Sequence, residues 1–346
     1  MPILNAPDSV PTVQQAARRL ADGGLVAFPT ETVYGLGGDA ENPDAIARIY
    51  AAKGRPADHP VIVHVAPQAN IDYWVRSVPK EARILIKAFW PGPLTLILPR
   101  AAHIPPAVSG GQDSVGLRCP SHPVAQALLC EFARLKPHGE GGVAAPSANK
   151  FGQVSPTRAS HVRAEFSELG PEQLMVLEGG QSDVGIESTI VDLSRLDQGV
   201  GPVLLRPGHI SAAHIGQLLG VELSRPDTAA PRVSGSLKAH YAPRTPLALL
   251  PLDVLLQQAQ EHSRVGAHDG KQRIAAVVFQ APDTLLAGVD WIAASADPQV
   301  YARNLYALLR RLDDGRYTRI LLEQPPQEAA WQAVNDRIGR AAAAFN

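Results

Sequence analysis

Aromatic residues are scarce, at 5% of 346 positions, so any core must be built mainly from Ala, Val, Leu and Ile. Cysteine is nearly absent. Cys119 and Cys130 are the only two, with no CxxC spacing and no Cys/His cluster, which argues against a disulfide framework and a structural zinc site. Both read as reduced thiols or small, half-buried hydrophobes. No window approaches the roughly 20 apolar residues that span a bilayer, and the opening MPILNAPDSV lacks the basic start and apolar run of a secretory leader. The chain is therefore expected in the cytoplasm, away from membranes. An excess of one charge is missing too. The formal net charge is −1, and residues 1–225 hold 19 Lys+Arg against 21 Asp+Glu, leaving 13 against 12 for 226–346. A stable binder of duplex or transfer RNA usually presents a basic face, so none is expected here. Neither a Walker A loop nor a GxGxxG fingerprint occurs.

What is present is an ordinary globular composition, 45% hydrophobic and 19% charged, in a chain long enough for two cores. Helical spacing of apolar residues marks 12–22, 79–90, 122–134, 157–168 and 211–219, and Asn42-Pro43 opens a capped helix that runs to Lys53. Short apolar runs mark strands at 25–29, 61–65, 94–98, 114–119, 142–146, 174–180, 188–193 and 202–207. The polar, Gly-rich stretch 30–38 reads as a loop. Several strands lack a crossover helix between them, which points to a mixed α/β sheet. Residues 224–246 carry four prolines and little periodicity, as an extended linker does. Beyond them LALLP, a helix near 253–263, IAAVVF (274–279), a helix across 297–312, RILLE (319–323) and a last helix over 326–343 form a small βα domain. The expected organisation is thus 1–223, a linker 224–246, and 247–346.

Candidate chemistry sits at strand ends, where α/β sheets place ligands. PTETVYGLGGD (29–39) gathers three hydroxyls, Glu31 and three glycines; it is either a ligand loop or a polar turn that bonds its own backbone. KGRPADHP (53–60) offers Lys53 and Arg55, either a triphosphate cradle or helix-end charges that suit the macrodipole. His64 lies on the strand face opposite Val61, Val63 and Val65, as a satisfied core histidine or a site residue. Arg118 ends an apolar strand and needs an anionic partner, either a structural carboxylate or a substrate. APSAN (145–149) places Ser147 and Asn149 after a strand, as a binding loop or a turn cap. Ser188 and Arg206 end two more strands. Together these ends describe a pocket for an anionic ligand.

PTETVYGLG, KGRP followed by PVIVH, WPGPLT, VGLRCP, APSAN and IESTIVDL, in that order over about residues 12–220, resemble the YrdC-like family of threonylcarbamoyl-AMP synthases. SGSLKAHYAPRTP and the segment after it are similar to the long, two-domain form. The resemblance implies a YrdC-like mixed twisted sheet with helices around a cationic cavity, plus a small Rossmann-like α/β domain. It implies synthesis of threonylcarbamoyl-AMP from L-threonine, bicarbonate and ATP, with pyrophosphate released, magnesium as a cofactor of unassigned ligands, and a product used to modify an adenosine in transfer RNA. By motif, Thr32, His64, Arg118 and Ser188 would hold threonine. Lys53, Arg55, His59, Ser114, Ser147, Asn149, Ser155 and Arg206 would hold the nucleotide, with Lys53 and Arg55 as the catalytic charges, and His240 and Tyr241 would reach over the cavity from the linker as a lid. Two other readings are an RNA-binding module using the cavity and a carbamoyl-adenylate enzyme of the hydrogenase-maturation type; the absence of CxxC disfavours the latter, and the charge balance the former.

Overall fold

The computed structural model describes residues 11–266, 272–283 and 285–346; the first ten residues, read above as lacking a leader, lie outside them. Helix α1 (Val13–Ala21) starts at a capping box, the Thr12 hydroxyl accepting from the Gln15 N–H while the Gln15 side chain takes the Thr12 N–H. Strands β1 (Leu25–Phe28) and β2 (Gly35–Asp39) follow, then helix α2 (Pro43–Lys53), opened by the Asn42 side chain and closed by Gly54 at φ 63°. Next come β3 (Ile62–Val65), the single turn α3 (Ile71–Trp74), α4 (Lys80–Phe89), β4 (Leu94–Pro99), β5 (Ser114–Arg118), α5 (Pro123–Leu135) and β6 (Gly142–Ala144). Then α6 (Ala159–Glu165), β7 (Leu174–Val176), β8 (Thr189–Asp192), β9 (Val203–Arg206) and α7 (Ala212–Leu219) complete the larger part.

These nine strands form one sheet in the order β7-β1-β2-β6-β3-β5-β4-β8-β9. The pairs β1–β7, β3–β5 and β4–β8 are parallel and the rest antiparallel, so the mixed sheet read from the sequence is present. Val63, Val65, Leu94, Leu96 and Leu117 enter one apolar core, and Val26, Phe28 and Val143 join α1 and α5 in another. The stretch 30–38 is not all loop, because its second half is β2. A Cβ at Gly37 would lie 2.8 Å from both the Phe28 ring and Val143. The glycines therefore let three strands close around Phe28 rather than making a turn.

Between α7 and residue 247 the chain has no helix or strand; bridges tie Ser224 to Val203 and Ala242 to Gln153. A second sheet follows, built from β10 (Leu247–Leu250), α8 (Leu252–Gly266), β11 (Ile274–Val278), β12 (Val289–Ala293), α9 (Pro298–Leu312), β13 (Arg319–Glu323) and α10 (Gln332–Ala342). Its order is β10-β13-β11-β12, all parallel. The last helix begins at Gln332, later than the expected 326, after a 3₁₀ turn at Ala329–Trp331. The two sheets share one apolar cluster, in which Val33, Val154 and Ile186 pack with Tyr241, Tyr301, Leu305, Tyr306, Val334 and Ile338.

Candidate active site

Parallel pairing of β3 with β5 sets His64 beside Arg118, and the strand alternation that sends Val63 and Val65 into the core turns His64 to the other face. The loop after β1 comes to the same place. Thr30 closes it as a hydroxyl-capped turn, accepting from the Thr32 and Val33 N–H groups and donating to the Val33 carbonyl at 2.7 Å. The Thr30 and Thr32 hydroxyls are 2.8 Å apart. A cleft of about 390 Å³ results, lined by Thr30, Thr32, His64, Arg118, Ser147, Ser188 and Arg206, with Ser234 of the connecting segment on its wall. An adjoining cleft of about 260 Å³ includes Ser114 and Arg232 and shares Ile62 and Ser234 with the first. A larger cavity, about 1200 Å³, opens between Arg158, His161 and Gln181 on one side and α9 on the other, but no site residue expected from the sequence lines it.

Arg118 has a protein partner. Its Nη2 lies 2.7 Å from Glu31 Oε1, both side chains buried, in an ion pair whose N–H direction misses the carboxylate oxygen. Glu31 Oε2 takes the Ser121 N–H at 3.1 Å. The carboxylate left open by sequence reasoning is thus Glu31. Arg206 donates from Nε to the Ser188 carbonyl at 3.0 Å, from Nη2 to the Ser188 hydroxyl at 3.1 Å and from Nη1 to the Ser234 carbonyl at 2.8 Å. Thr95 is 2.7 Å from that same Ser188 hydroxyl.

The left-handed Gly54 carries the chain from Lys53 to Arg55. The Lys53 ammonium is buried against the Ser147 carbonyl at 2.6 Å and the Asn149 carbonyl, so it pins the APSAN loop rather than lining the cleft. Burial and the neighbouring Arg55 hold it well below the usual lysine range. Arg55 donates to the Pro60 carbonyl at 2.7 Å and reaches the Ser234 hydroxyl at 3.4 Å; burial lowers it to about 10. Burial and then Arg118 push His64 down to about 3, leaving a neutral imidazole. Asn149 is turned to the Lys150 and Gln153 carbonyls, and the Ser155 hydroxyl donates to Glu187 at 2.6 Å, so neither faces the cleft.

The connecting segment closes over this arrangement. Gly235 has φ 79°, and a Cβ there would collide with the Tyr241 hydroxyl. Tyr241 itself sits at φ 62°. His59 meets the edge of Phe151 at 5.3 Å, Phe151 meets His240 at 6.1 Å, and His240 meets Tyr241 at 4.2 Å. Buried polar atoms without partners occur on these residues: Arg55 Nε, His64 Nδ1, His240 Nδ1 and the Tyr241 hydroxyl. Such atoms are the mark of a site completed by a ligand. Sequence reasoning did not assign Glu31, Thr95, Phe151, Glu187, Ser234 or Arg337. Of these Arg337 had a legible signal, an arginine on the helix stripe of Val334, Ile338 and Ala341.

No group of three or more His, Cys, Asp or Glu side chains able to hold a metal occurs among the described residues. The carboxylate beside Arg118, Glu31, is ion-paired with it. The described residues thus offer no magnesium site built from protein side chains alone.

A family model described as "Telomere recombination" (Sua5, YciO, YrdC) matches residues 18–208, and one described as "Threonylcarbamoyl-AMP synthase, C-terminal domain" matches 210–343. The chain belongs to the threonylcarbamoyl-AMP synthase family. It is 36% identical over 340 residues to the threonylcarbamoyl-AMP synthase of Pyrococcus abyssi, covering 95% of this chain and 93% of the relative. To the Bacillus subtilis synthase it is 37% identical over 343 residues, covering 96% and 93%. The solved structure of P. abyssi Sua5 complexed with L-threonine superposes with a TM-score of 0.81 at 33% identity, over 96% of this chain and 94% of that one. The similarity to threonylcarbamoyl-AMP synthases therefore extends through the second sheet, which separates this chain from the hydrogenase-maturation reading.

Proposed function

We propose that this chain is a nucleotidyltransferase that converts L-threonine, bicarbonate and ATP to threonylcarbamoyl-AMP and pyrophosphate. The observation that carries the reading is the cleft itself. Arg118 lines it together with Thr30, Thr32 and the neutral His64, in a family with a member solved with L-threonine bound. A guanidinium takes an amino-acid carboxylate, and hydroxyls and an imidazole can meet a side-chain hydroxyl. Ser147 and Arg206 line the same cleft and Ser114 the adjoining one, with Arg55 tied to their shared Ser234, and this is where the nucleotide is assigned once the connecting segment yields.

The chemistry follows from positioning. The neutral threonine amine bonds to the bicarbonate carbon while a carbon–oxygen bond breaks, and the hydroxyl leaves as water with the amine proton, giving a carbamate. A carbamate oxygen then attacks the α-phosphorus of ATP while the bond to the β-phosphate oxygen breaks and pyrophosphate leaves. Nothing covalent is asked of the protein, so fixed cations matter more than a nucleophile. Carbamates lose carbon dioxide readily, and a closed roof over the cleft keeps water out. Ser234 now occupies donors of Arg55 and Arg206 that phosphates would take, so the connecting segment moves when nucleotide enters, as a lid. Transfer of the threonylcarbamoyl group to an adenosine of transfer RNA consumes the product. Incubation with ATP, bicarbonate and threonine tests the reading by pyrophosphate release; release that ignores threonine, or none at all, overturns it.

A further inference from the structure

One arginine of the second sheet's last helix reaches under the cleft. Arg337 on α10 is completely buried. Its Nε donates to Glu187 Oε2 at 2.7 Å, and its Nη2 donates to the main-chain carbonyls of Pro207 at 3.0 Å and Glu187 at 3.3 Å. Its Nη1 pairs with Asp336, and its guanidinium lies over the Tyr241 ring, 5.4 Å from the centroid. Glu187 is the residue before Ser188, and Pro207 the residue after Arg206. A single guanidinium therefore ties together the two segments that present Ser188 and Arg206 to the cleft.

Glu187 completes the connection. Its Oε1 takes the Ser155 hydroxyl at 2.6 Å, and its Oε2 also takes the Tyr306 hydroxyl from α9 at 2.9 Å. Burial alone would push this carboxyl up, but Arg337, Arg206 and the Ser155 hydrogen bond outweigh it and hold the group at about 2. A buried carboxylate keeps its charge only beside a cation. Two guanidinia are near, and their assignments differ: Arg337 binds Glu187 directly, while Arg206 directs its donors to Ser188 and Ser234. With Arg337 gone, Arg206 is the cation left to neutralise Glu187, and turning toward it withdraws Arg206 from the cleft.

We propose that Arg337 and Tyr306 are positioning residues for the reaction: by occupying Glu187 they leave Arg206 and Ser188 facing the nucleotide, so the second sheet's helices are part of the active site. This inference rests on the functional reading above. It goes beyond a lid, because the hydrogen bonds that carry it, Arg337 to Glu187 and to the Pro207 carbonyl, lie outside the connecting segment.

The test uses the full-length chain with Arg337→Met, Arg337→Lys, Tyr306→Phe, Glu187→Gln and the double variant Glu187→Gln/Arg337→Met. Steady-state pyrophosphate release reports kcat and the two KM values, calorimetry reports ATP affinity without turnover, and thermal unfolding reports folding. Arg337→Met is expected to weaken ATP binding or lower kcat at least tenfold while the threonine KM stays within about threefold. Tyr306→Phe, which keeps the ring, is expected to weaken ATP two- to fivefold with little change in unfolding temperature. Arg337→Lys, which keeps charge but cannot reach Glu187 and Pro207 together, should fall between wild type and Arg337→Met. The double variant decides. Without the Glu187 charge nothing captures Arg206, so it should recover at least threefold in ATP affinity or kcat over Arg337→Met. A double variant as poor as the two losses combined, or folded single variants with wild-type ATP parameters, overturns the inference. Should Arg337→Met fail to fold, Tyr306→Phe and Arg337→Lys carry the same comparison against Glu187→Gln. If wild type releases no threonine-dependent pyrophosphate, the functional reading fails by itself, and ATP calorimetry on the same variants still decides the role of Arg337.

Discussion

Lowering the pH from 7 to 5 should destabilise this fold before its carboxylates begin to titrate. Burial holds both His64 and His240 at about 3 in the folded chain, against an ordinary value near 6.5; Arg118 adds to the effect at His64, and Lys53, Arg55 and Arg206 add to it at His240 against the pull of Glu187. Over this window each imidazole is neutral when folded and cationic when unfolded. The unfolded state binds the extra protons, so stability is complete above about 6.5 and is lost as pH falls toward 3. At about 1.4 kcal/mol per pH unit below 6.5, each histidine contributes about 2 kcal/mol of loss at pH 5, or about 4 kcal/mol together. His161, lowered to about 4, stays neutral over the same window and adds to the loss, discounted for its exposure to solvent. Urea unfolding at pH 7, 6 and 5 measures the slope, and His64→Gln should remove about 2 kcal/mol of the loss between pH 7 and 5. A loss below about 1 kcal/mol across the window, or an unchanged slope in His64→Gln/His240→Gln, would refute the account of both side chains as buried and neutral.

Arg118→Lys keeps a charge opposite Glu31 but removes the planar fork, so the threonine KM should rise by about tenfold or more with a much smaller change for ATP; equal changes for both substrates in steady-state pyrophosphate release would count against the carboxylate role. Gly235→Ala forces a Cβ onto the Tyr241 hydroxyl at a left-handed backbone position and should lower stability by about 1–3 kcal/mol in urea unfolding, whereas no loss would mean the roof packs more loosely than described.

Apolar runs made most of the sheet legible: LVAF, IVHV, LTLIL and SVGLR all became strands because their side chains are buried. Two strands escaped notice for opposite reasons. β2 is glycine-rich because Phe28 and Val143 leave no room for side chains, and VDWIA of β12 alternates with polar residues at the edge of the second sheet. Six expected site residues, Thr32, His64, Arg118, Ser147, Ser188 and Arg206, share one cleft, because a position at a strand end already says where a side chain emerges. Glu187 could not be read that way. Its meaning depends on Arg337, 150 residues later, and on the packing of α9 and α10 that brings the two together.

That packing also explains how a chain with no excess charge can hold a cationic cleft. Arg118 and Arg337 are each matched by a glutamate, Glu31 and Glu187. Lys53, Arg55 and Arg206 instead make their hydrogen bonds largely to carbonyls, those of Ser147, Asn149, Pro60, Ser188 and Ser234. A carbonyl satisfies an N–H without cancelling a charge. The two arginines are thus held in place without a carboxylate directly on them, and their repulsion lowers the proton affinity of neighbours, as Arg55 does for Lys53 and Arg206 for Arg55. Such a cluster is costly until an anion arrives. On the proposed function, a triphosphate bound there would relieve this repulsion, as an in-line attack at phosphorus requires of its electrostatic environment. Bulk composition averages this away, since the glutamates that offset it in the count stand behind the wall and not on it.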